Sequence, residues 1–299
     1  LLARVALGFA PTSLNIFKNN IDIENASALE DYLRTNALTQ VNLLANGFNN
    51  QVALRLIEIS RQCEGLNTLC GFTHDQTEAK LNEAQLQDAD CLLLAAELEF
   101  NGVLKELHLN SNSIGDAGAE ALAGALHVNG VLKTLDLMNN QLGDVGAEAL
   151  AGALRVNGVL KVLLLGGNKI ADAGASAIAE ALHVNGVLTE LHLYGNSIGD
   201  AGAEALAGAL HVNGALTKLW LGGIAVGDTG AEALAGALHV NGVLTSLGLG
   251  DNKIGPTGAE ALAGALHVNG VLTFLDLNSN KISDAGASAL GDALRVNRV

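Results

Sequence analysis

Two identical tripeptides place a carboxylate and an imidazole on one face of the same short segment. Glu106 and His108 flank a leucine in one copy, and Glu190 and His192 flank a leucine in the other. A carboxylate beside an imidazole is the pairing used in general acid–base and nucleophilic catalysis. Neither pair stands beside a G-x-S-x-G nucleophile elbow, and the chain has no G-x-x-x-x-G-K-[ST] phosphate loop. We therefore expect no catalytic residue, no cofactor and no enzyme activity.

Histidine also occupies a recurring column near the end of a predicted helix. The members of this column are His127, His183, His211, His239 and His267, with Arg155 and Arg295 at the same position. One interpretation is a metal-binding or pH-sensing ladder; the other is a set of cations favoured by the helix dipole. Zinc needs ligands about 2 Å from a single ion. Since each imidazole belongs to a separate helix, the sequence favours the second interpretation and predicts no metal site.

These residues belong to a unit that repeats every 28 residues from Leu104, in seven copies that run to Val299. The first copy reads LKELHLNSNSIGDAGAEALAGALHVNGV. Leu107 and Leu109 alternate with polar residues, which predicts a short strand with one buried face. The Ala/Leu-rich segment 117–128 predicts a helix.

The ends of this helix carry their own signals. Asp116 can either cap the helix or lie in its first turn, and both positions complement the helix dipole. Asn129 and Gly130 predict the helix end, with the glycine in the left-handed conformation. The small residues along the helix, such as Gly124, predict a close approach of neighbouring helices.

The spacing L-x-x-L-x-L-x-x-N-x-I, followed by the long helical segment, resembles leucine-rich repeats of the ribonuclease-inhibitor type. This resemblance implies an α/β solenoid, a horseshoe with a parallel sheet on its concave face and helices on its convex face. The repeats are also similar to those of NOD-like receptors and of Roco-type LRR–GTPase proteins. That similarity implies a recognition module cut from a larger cytoplasmic signalling or receptor-like protein, whose flanking domains perform the chemistry.

The first part of the chain carries the same plan in a degenerate form. Residues 1–103 contain the degenerate units and residues 104–299 the regular ones, in one continuous solenoid of about eleven strands. An irregular short unit lies near residues 69–79, where no asparagine follows Leu69, and it predicts a kink or a change of curvature. The near-identity of the later copies leaves both gene duplication and consensus design open.

Composition limits the partners. The net charge of −15 argues against nucleic acid and against anionic membrane surfaces. The charge has two interpretations, a soluble acidic surface or a field that steers a basic partner. The three cysteines show no disulfide spacing, and residues 1–13 lack the features of a signal peptide. We therefore expect a cytoplasmic location.

Variation among the copies points to a binding surface. The helix columns barely change, whereas the three outward strand columns change freely, which suits recognition on the concave face; drift after duplication is the alternative. We expect a protein or peptide partner on that face. The candidate binding residues are Glu106, His108, Asn110, Asp136, Met138, Val162, Leu164, Glu190, His192, Tyr194, Lys218, Trp220, Phe274 and Asp276.

Five of these residues are apolar or aromatic and fall on adjacent strands, the sixth to the ninth of the eleven. They are Met138, Val162, Leu164, Tyr194 and Trp220. Exposed aromatic and methionine side chains are typical anchors of protein interfaces. The sequence therefore predicts that the partner is seated there.

Regulation of an enzyme is the alternative function. Leucine-rich-repeat activators of Ran-type GTPases carry a catalytic arginine in their loops, but the corresponding loop positions of this chain hold no arginine. Ribonuclease inhibitors have the same period and are rich in cysteine, whereas this chain has 3 cysteines. Both departures weaken the alternative.

One position breaks the regular pattern after the strand. A recurring asparagine predicts a ladder of buried amides that bind backbone groups. Its members are Asn112, Asn140, Asn168, Asn196, Asn252 and Asn280. Ile224 replaces the asparagine in one copy, which predicts a local gap in hydrogen bonding worth about 1–3 kcal/mol. Trp220 of the same copy is predicted to point away from this gap, into the concave face beside Tyr194.

Overall fold

A computed structural model describes residues 11–21, 23–35 and 37–297. Residues 1–13, in which the sequence shows no signal-peptide features, lie largely outside the described residues. The last two residues of the seventh repeat also lie outside them. Within the described ranges, each helix is too short or too polar to cross a membrane.

Short strands alternate with helices along the described chain. The strands are β1 (Ser13–Asn15), β2 (Gln40–Asn42), β3 (Glu78–Lys80), β4 (Glu106–His108), β5 (Thr134–Asp136), β6 (Val162–Leu164), β7 (Glu190–His192), β8 (Lys218–Trp220), β9 (Ser246–Gly248) and β10 (Phe274–Asp276). The helices are α1 (Ile23–Thr35), α2 (Asn50–Gln62), α3 (Asp88–Leu98), α4 (Asp116–Leu126), α5 (Asp144–Leu154), α6 (Asp172–Leu182), α7 (Asp200–Leu210), α8 (Asp228–Leu238), α9 (Pro256–Leu266) and α10 (Ser283–Val296).

The strands stack in sequence order. Strands β3 to β10 form an eight-stranded parallel sheet, and β1 pairs with β2 in a separate parallel sheet. In the regular part, each residue pairs with its equivalent in the next repeat, as Leu107 does with Leu135. The central residue of each strand from β1 to β9 is apolar and buried, whereas Leu275 of β10 is half-buried. The helices pack on one another in sequence order. The predicted α/β solenoid is confirmed.

The two sheets are separated at the irregular unit. The third predicted strand is reduced to an isolated bridge between Asn42 and Cys70. Its backbone donors are taken by side chains instead of a neighbouring strand: Glu97 Oε2 accepts from Leu69 N at 3.0 Å and from Cys70 N at 2.9 Å. The same oxygen accepts from Thr68 Oγ1 at 2.8 Å. Burial raises the pKa of Glu97, and these hydrogen bonds only partly oppose that effect.

The predicted asparagine ladder is present. Asn140 Oδ1 accepts from Ile114 N at 3.1 Å, and Asn140 Nδ2 donates to the carbonyl oxygens of Leu109 and Leu137. Ile224 is buried with 6% of its surface exposed. The amide of Ile198, equivalent to that of Ile114, therefore has no side-chain acceptor among the described residues, and the predicted gap is confirmed.

The structure gives Asp116 both of the roles that the sequence allowed, but in two different helices. Asp116 is the first residue of α4, and its N-cap is Gly115. Its Oδ1 accepts from Gly143 N at 2.7 Å and from Gly146 N at 3.0 Å, both at the start of α5. Asp116 therefore lies in the first turn of its own helix and caps the helix of the next repeat, and the same holds for its equivalents from Asp88 to Asp228.

Two details of the helix prediction were wrong. Gly130 does not have a positive φ. The chain is turned instead by Asn129, whose Oδ1 accepts from Leu132 N at 2.8 Å and whose Nδ2 donates to Leu98 O at 2.7 Å in the previous repeat. Gly124 is exposed, and a Cβ added to it would have no neighbour within 4 Å, because this position faces solvent. The close approach occurs at Gly118, where a Cβ would lie 2.8 Å from Asp88 Oδ1.

Candidate functional site

The outward face of the long sheet collects the predicted binding residues. In each strand the central residue points to the core, so the first and third residues point to the opposite face. The register of the parallel strands places His192 beside Trp220 and Asp136 beside Leu164. Asn110, Met138 and Tyr194 follow their strands by two residues and extend the same face.

Aromatic rings form a connected group on this face. The Trp220 ring centroid lies 5.8 Å from that of His192 and 5.5 Å from that of Phe274. The His192 and Tyr194 centroids are 6.0 Å apart. Tyr194 Oη donates to Met138 Sδ at 3.0 Å. The structure therefore joins five candidate residues from β5, β7, β8 and β10 and the adjoining turns.

Glycines make this arrangement possible. Trp220 lies across Gly248, where an added Cβ would clash with the indole ring, and reaches Phe274 two repeats away. Tyr194 lies across Gly166, where a Cβ would sit 2.6 Å from the phenol ring, and reaches Met138 in the opposite direction. The expectation of exposed anchors was wrong in this respect: Trp220 and Tyr194 are half-buried, because each ring covers the backbone of a neighbouring strand.

A cleft of about 290 Å³ opens beside Trp220 and Tyr194. Gly222 and Gly250 contribute to its lining, together with Asp251, Asp276 and Asn278. The Asp276 carboxylate accepts hydrogen bonds from the backbone and side chain of Asn278. Neither aspartate takes part in an ion pair with another described residue. The sequence did not predict this cleft, although the glycines in otherwise varied columns were a signal for it.

In the tripeptide of β7 the Glu190 carboxylate has two partners, whereas His192 Nδ1 is buried without a hydrogen-bond partner among the described residues. His192 Nε2 lies 2.8 Å from Glu190 Oε1, and Lys218 Nζ lies 3.0 Å from Glu190 Oε2. Partial burial alone would raise the pKa of Glu190, but the hydrogen bonds from His192 and Lys218 outweigh it and hold the pKa below its ordinary value. The negative charge of Glu190 is therefore balanced by the neighbouring ammonium of Lys218.

The tripeptide in β4 has a different environment. His108 Nε2 lies 3.4 Å from Glu78 Oε1 and 3.5 Å from Glu106 Oε2, and His108 Nδ1 lies 3.7 Å from Asp136 Oδ2. Lys80 Nζ contacts Glu78 Oε1 at 3.0 Å. The structure thus gathers three carboxylates around one imidazole, a cluster that the sequence did not predict, since two of them come from other repeats.

The histidine column lies at the ends of the helices and not on the outward face of the sheet. His127 is the C-cap residue of α4, and its Nδ1 lies 2.8 Å from Ala123 O in the same helix. The equivalent contacts recur in His183, His211 and His239. These contacts within single helices fit the interpretation as helix-terminal groups.

Comparison with known proteins identifies the repeat. Six segments match the leucine-rich repeat family, at residues 101–123, 128–151, 156–179, 184–207, 240–263 and 268–291. No curated protein matches the chain. A similar solved structure is an internalin (inlF) from Listeria monocytogenes, with 22% identity, 90% of this chain and 68% of that chain covered, and a TM-score of 0.49.

Two other similar structures cover about half of this chain. The leiomodin-1 actin-binding site 2 has 27% identity, covers 48% of this chain and 68% of that chain, and has a TM-score of 0.34. The tropomodulin C-terminal domain from Caenorhabditis elegans has 16% identity, covers 50% of this chain and 92% of that chain, and has a TM-score of 0.42.

Proposed function

We propose that this chain, which carries leucine-rich repeats, is a non-catalytic recognition module that binds a protein or peptide on the outward face of its long sheet. The observation that carries the proposal is the cleft beside Trp220 and Tyr194, with aromatic side chains on one side and two carboxylates without an ion-pair partner on another. A partly apolar concavity with a few converging polar groups is what a binding site requires.

The cleft suits a basic side chain of the partner. The aliphatic stem of a lysine or arginine packs against Trp220, and its charge is attracted both by the indole face and by Asp251 and Asp276. The glycine lining leaves room for such a side chain close to the backbone. The net charge of −15 attracts a basic partner over a longer range.

We further propose a cytoplasmic setting, within a larger parent of the NOD-like or Roco-like kind and with repeats of the ribonuclease-inhibitor type. The support is chemical: Cys63, Cys70 and Cys91 are free, and burial raises the pKa of Cys70 and Cys91 well above its ordinary value. Free thiols are typical of reducing compartments. Cell fractionation of the endogenous protein tests the cytoplasmic location. Mass spectrometry of the intact endogenous protein tests whether the chain belongs to a larger parent.

Selection from a displayed library of random linear peptides tests the binding proposal. We expect the selected peptides to be enriched in lysine and arginine. Trp220→Ala and Tyr194→Ala should each weaken the binding of a selected peptide by roughly 2 kcal/mol, because each removes a half-buried aromatic anchor. Isothermal titration calorimetry measures the affinities, and Asp276→Asn should reduce the preference for basic over neutral peptides.

Phe100→Ala is the matched control. Phe100 is 81% exposed and follows α3, away from the outward face of the sheet. It removes an exposed aromatic side chain without touching the cleft, so peptide affinity should not change. Equal affinities in the wild type, Trp220→Ala and Tyr194→Ala would contradict the proposed surface.

A further inference from the structure

The acidic cluster around His108 differs from an ordinary surface ion pair in its geometry. One carboxylate oxygen each of Glu78 and Glu106 and one ring nitrogen of His108 lie within 4.8 Å of one another. The imidazole nitrogen is shielded from solvent and has no hydrogen-bond partner among the described residues, since its contacts at 3.4 and 3.5 Å lack hydrogen-bond geometry. A buried nitrogen without a partner is uncommon in folded proteins. His192 Nδ1 and Trp220 Nε1 are in the same state, but only His108 Nε2 faces two carboxylates at this distance.

The distances of 3.4 and 3.5 Å from His108 Nε2 to the two carboxylates match the spacing of ligand atoms around a metal ion. Zinc binds nitrogen and carboxylate oxygen at about 2.0–2.2 Å in tetrahedral geometry, which places neighbouring ligand atoms about 3.4 Å apart. An ion among the three atoms would give His108 Nε2 the partner that it lacks. Imidazole with carboxylate oxygens is a ligand set that suits zinc and other divalent transition metals.

Asp136 completes the arrangement behind the imidazole. Its carboxylate is buried, and Oδ2 faces His108 Nδ1 at 3.7 Å. Ligating histidines commonly present their second nitrogen to a carboxylate, which orients the ring and makes it a stronger ligand. Asp136 Oδ1 is held in turn by Met138 N at 3.0 Å, so this supporting carboxylate has a fixed position.

Charge also favours a cation at this place. The cluster holds the carboxylates of Glu78, Glu106 and Asp136, and Lys80 is the ammonium in contact with it. Lys80 reaches only Glu78, and its side chain is 68% exposed, so it is free to move away when an ion binds. The same tripeptide in β7 has its carboxylate matched by Lys218 and its His192 Nε2 bound to Glu190 at 2.8 Å.

We propose that Glu78, Glu106 and His108 form a binding site for a divalent transition-metal ion of the zinc type, oriented by Asp136. The three side chains supply two carboxylate oxygens and one imidazole nitrogen. A fourth position is left for water, as in other zinc sites with three protein ligands. The site lies on β3 and β4 and does not depend on the proposed peptide cleft between β7 and β10.

Titration of the chelator-treated chain with ZnCl2 tests this site. Calorimetry should show one dominant Zn²⁺ per chain, and His108→Ala should weaken its binding at least about tenfold. Added Co²⁺ should give the visible absorption of a low-symmetry nitrogen–oxygen site in the wild type and lose it in His108→Ala. Lys80→Met should strengthen Zn²⁺ binding, because it removes the ammonium that competes for Glu78.

His192→Ala is the matched control, since it removes a histidine from an identical tripeptide with a satisfied carboxylate. Its Zn²⁺ affinity should equal that of the wild type. Glu106→Gln, which keeps the side-chain shape, should also weaken binding and serves if His108→Ala fails to fold by circular dichroism. Equal Zn²⁺ binding in the wild type, His108→Ala and Glu106→Gln would overturn the proposal, as would an equal loss in His192→Ala or weaker binding in Lys80→Met.

Discussion

Strands β4 and β7 contain the same tripeptide but place it in opposite electrostatic surroundings. In β7, Glu190 lies between Val162 and Lys218 in the neighbouring strands, and one ammonium matches its charge. In β4, Glu106 lies between Glu78 and Thr134, so a second carboxylate takes the place of the ammonium. Identical local sequence therefore yields a neutralised pair in one repeat and an excess of negative charge in the other.

The side chains beside the two histidines differ in the same way. His192 lies next to Trp220 and belongs to the aromatic group, whereas His108 lies next to Lys80 and Asp136. The chemistry of each outward position is set by residues 28 positions before and after it. This is why we assign recognition of a peptide to one end of the sheet and binding of a cation to the other.

Exchanging one neighbour should make β4 resemble β7. Glu78→Lys supplies the ammonium that Lys218 provides in β7 and removes one proposed ligand. We expect Zn²⁺ affinity to fall about a hundredfold, which corresponds to about 2.7 kcal/mol. Calorimetry measures the change, with Glu120→Lys on the exposed surface of α4 as a control for the altered net charge. An equal loss in Glu120→Lys would show that the effect is one of total charge.

One substitution should also make the turn after β4 resemble the turn after β7, in which the Ile198 amide has no side-chain acceptor. Asn140→Ile, after β5, would reproduce the defect that Ile224 causes after β8. We expect it to reduce the free energy of unfolding by about 2 kcal/mol, because the buried Ile114 amide loses its acceptor. Urea unfolding measures the loss.

Hydrogen exchange examines the same difference locally. In the wild type, the Ile198 amide should exchange faster than the Ile114 amide, and Asn140→Ile should remove that difference. Gln141→Ile, at an exposed position in the same turn, is the control and should leave both the stability and the exchange of Ile114 unchanged. Slower exchange at Ile198 than at Ile114 would contradict the predicted gap.

The smallest effect concerns the ion pair in β7. The pKa of Glu190 is lowered in the folded chain, so its ionised form contributes stability above its ordinary pKa of 4.5, and this contribution is lost as the pH falls through the lowered value. Lys218→Met should raise the pKa of Glu190 and reduce this loss of stability in acid. The cost at neutral pH should stay below about 1 kcal/mol, because Lys218 is partly exposed.

Urea unfolding at neutral and acidic pH, with Glu190 titrated by NMR, measures this contribution. Lys161→Met removes an exposed lysine near the same sheet and should leave the pKa of Glu190 unchanged. An unchanged pKa in Lys218→Met would show that the hydrogen bond from His192 alone holds it down.

Much of the fold could be predicted from the repeat itself. The alternation around Leu107 predicts the strand, and the asparagine column predicts the ladder, because both patterns recur visibly along the sequence. The hydrogen bond from Asn129 to the previous repeat and the capping of α5 by Asp116 were not predicted, because both residues also carry signals for the ends of their own helix and only the stacking showed which partner they bind. The candidate site divides in the same way: the outward columns were visible in the sequence, but the cleft and the acidic cluster were not.

The sequence by itself determined the period, the apolar central residue of each strand and the set of side chains that face outward. Only the stacking decided which of those side chains meet. Trp220 can lie across Gly248 because glycine stands in the next repeat, and His108 lies among carboxylates because Glu78 and Asp136 flank it from two other repeats. A parallel register brings equivalent positions within contact distance, so the chemistry of each outward residue depends on neighbours that are remote in the chain.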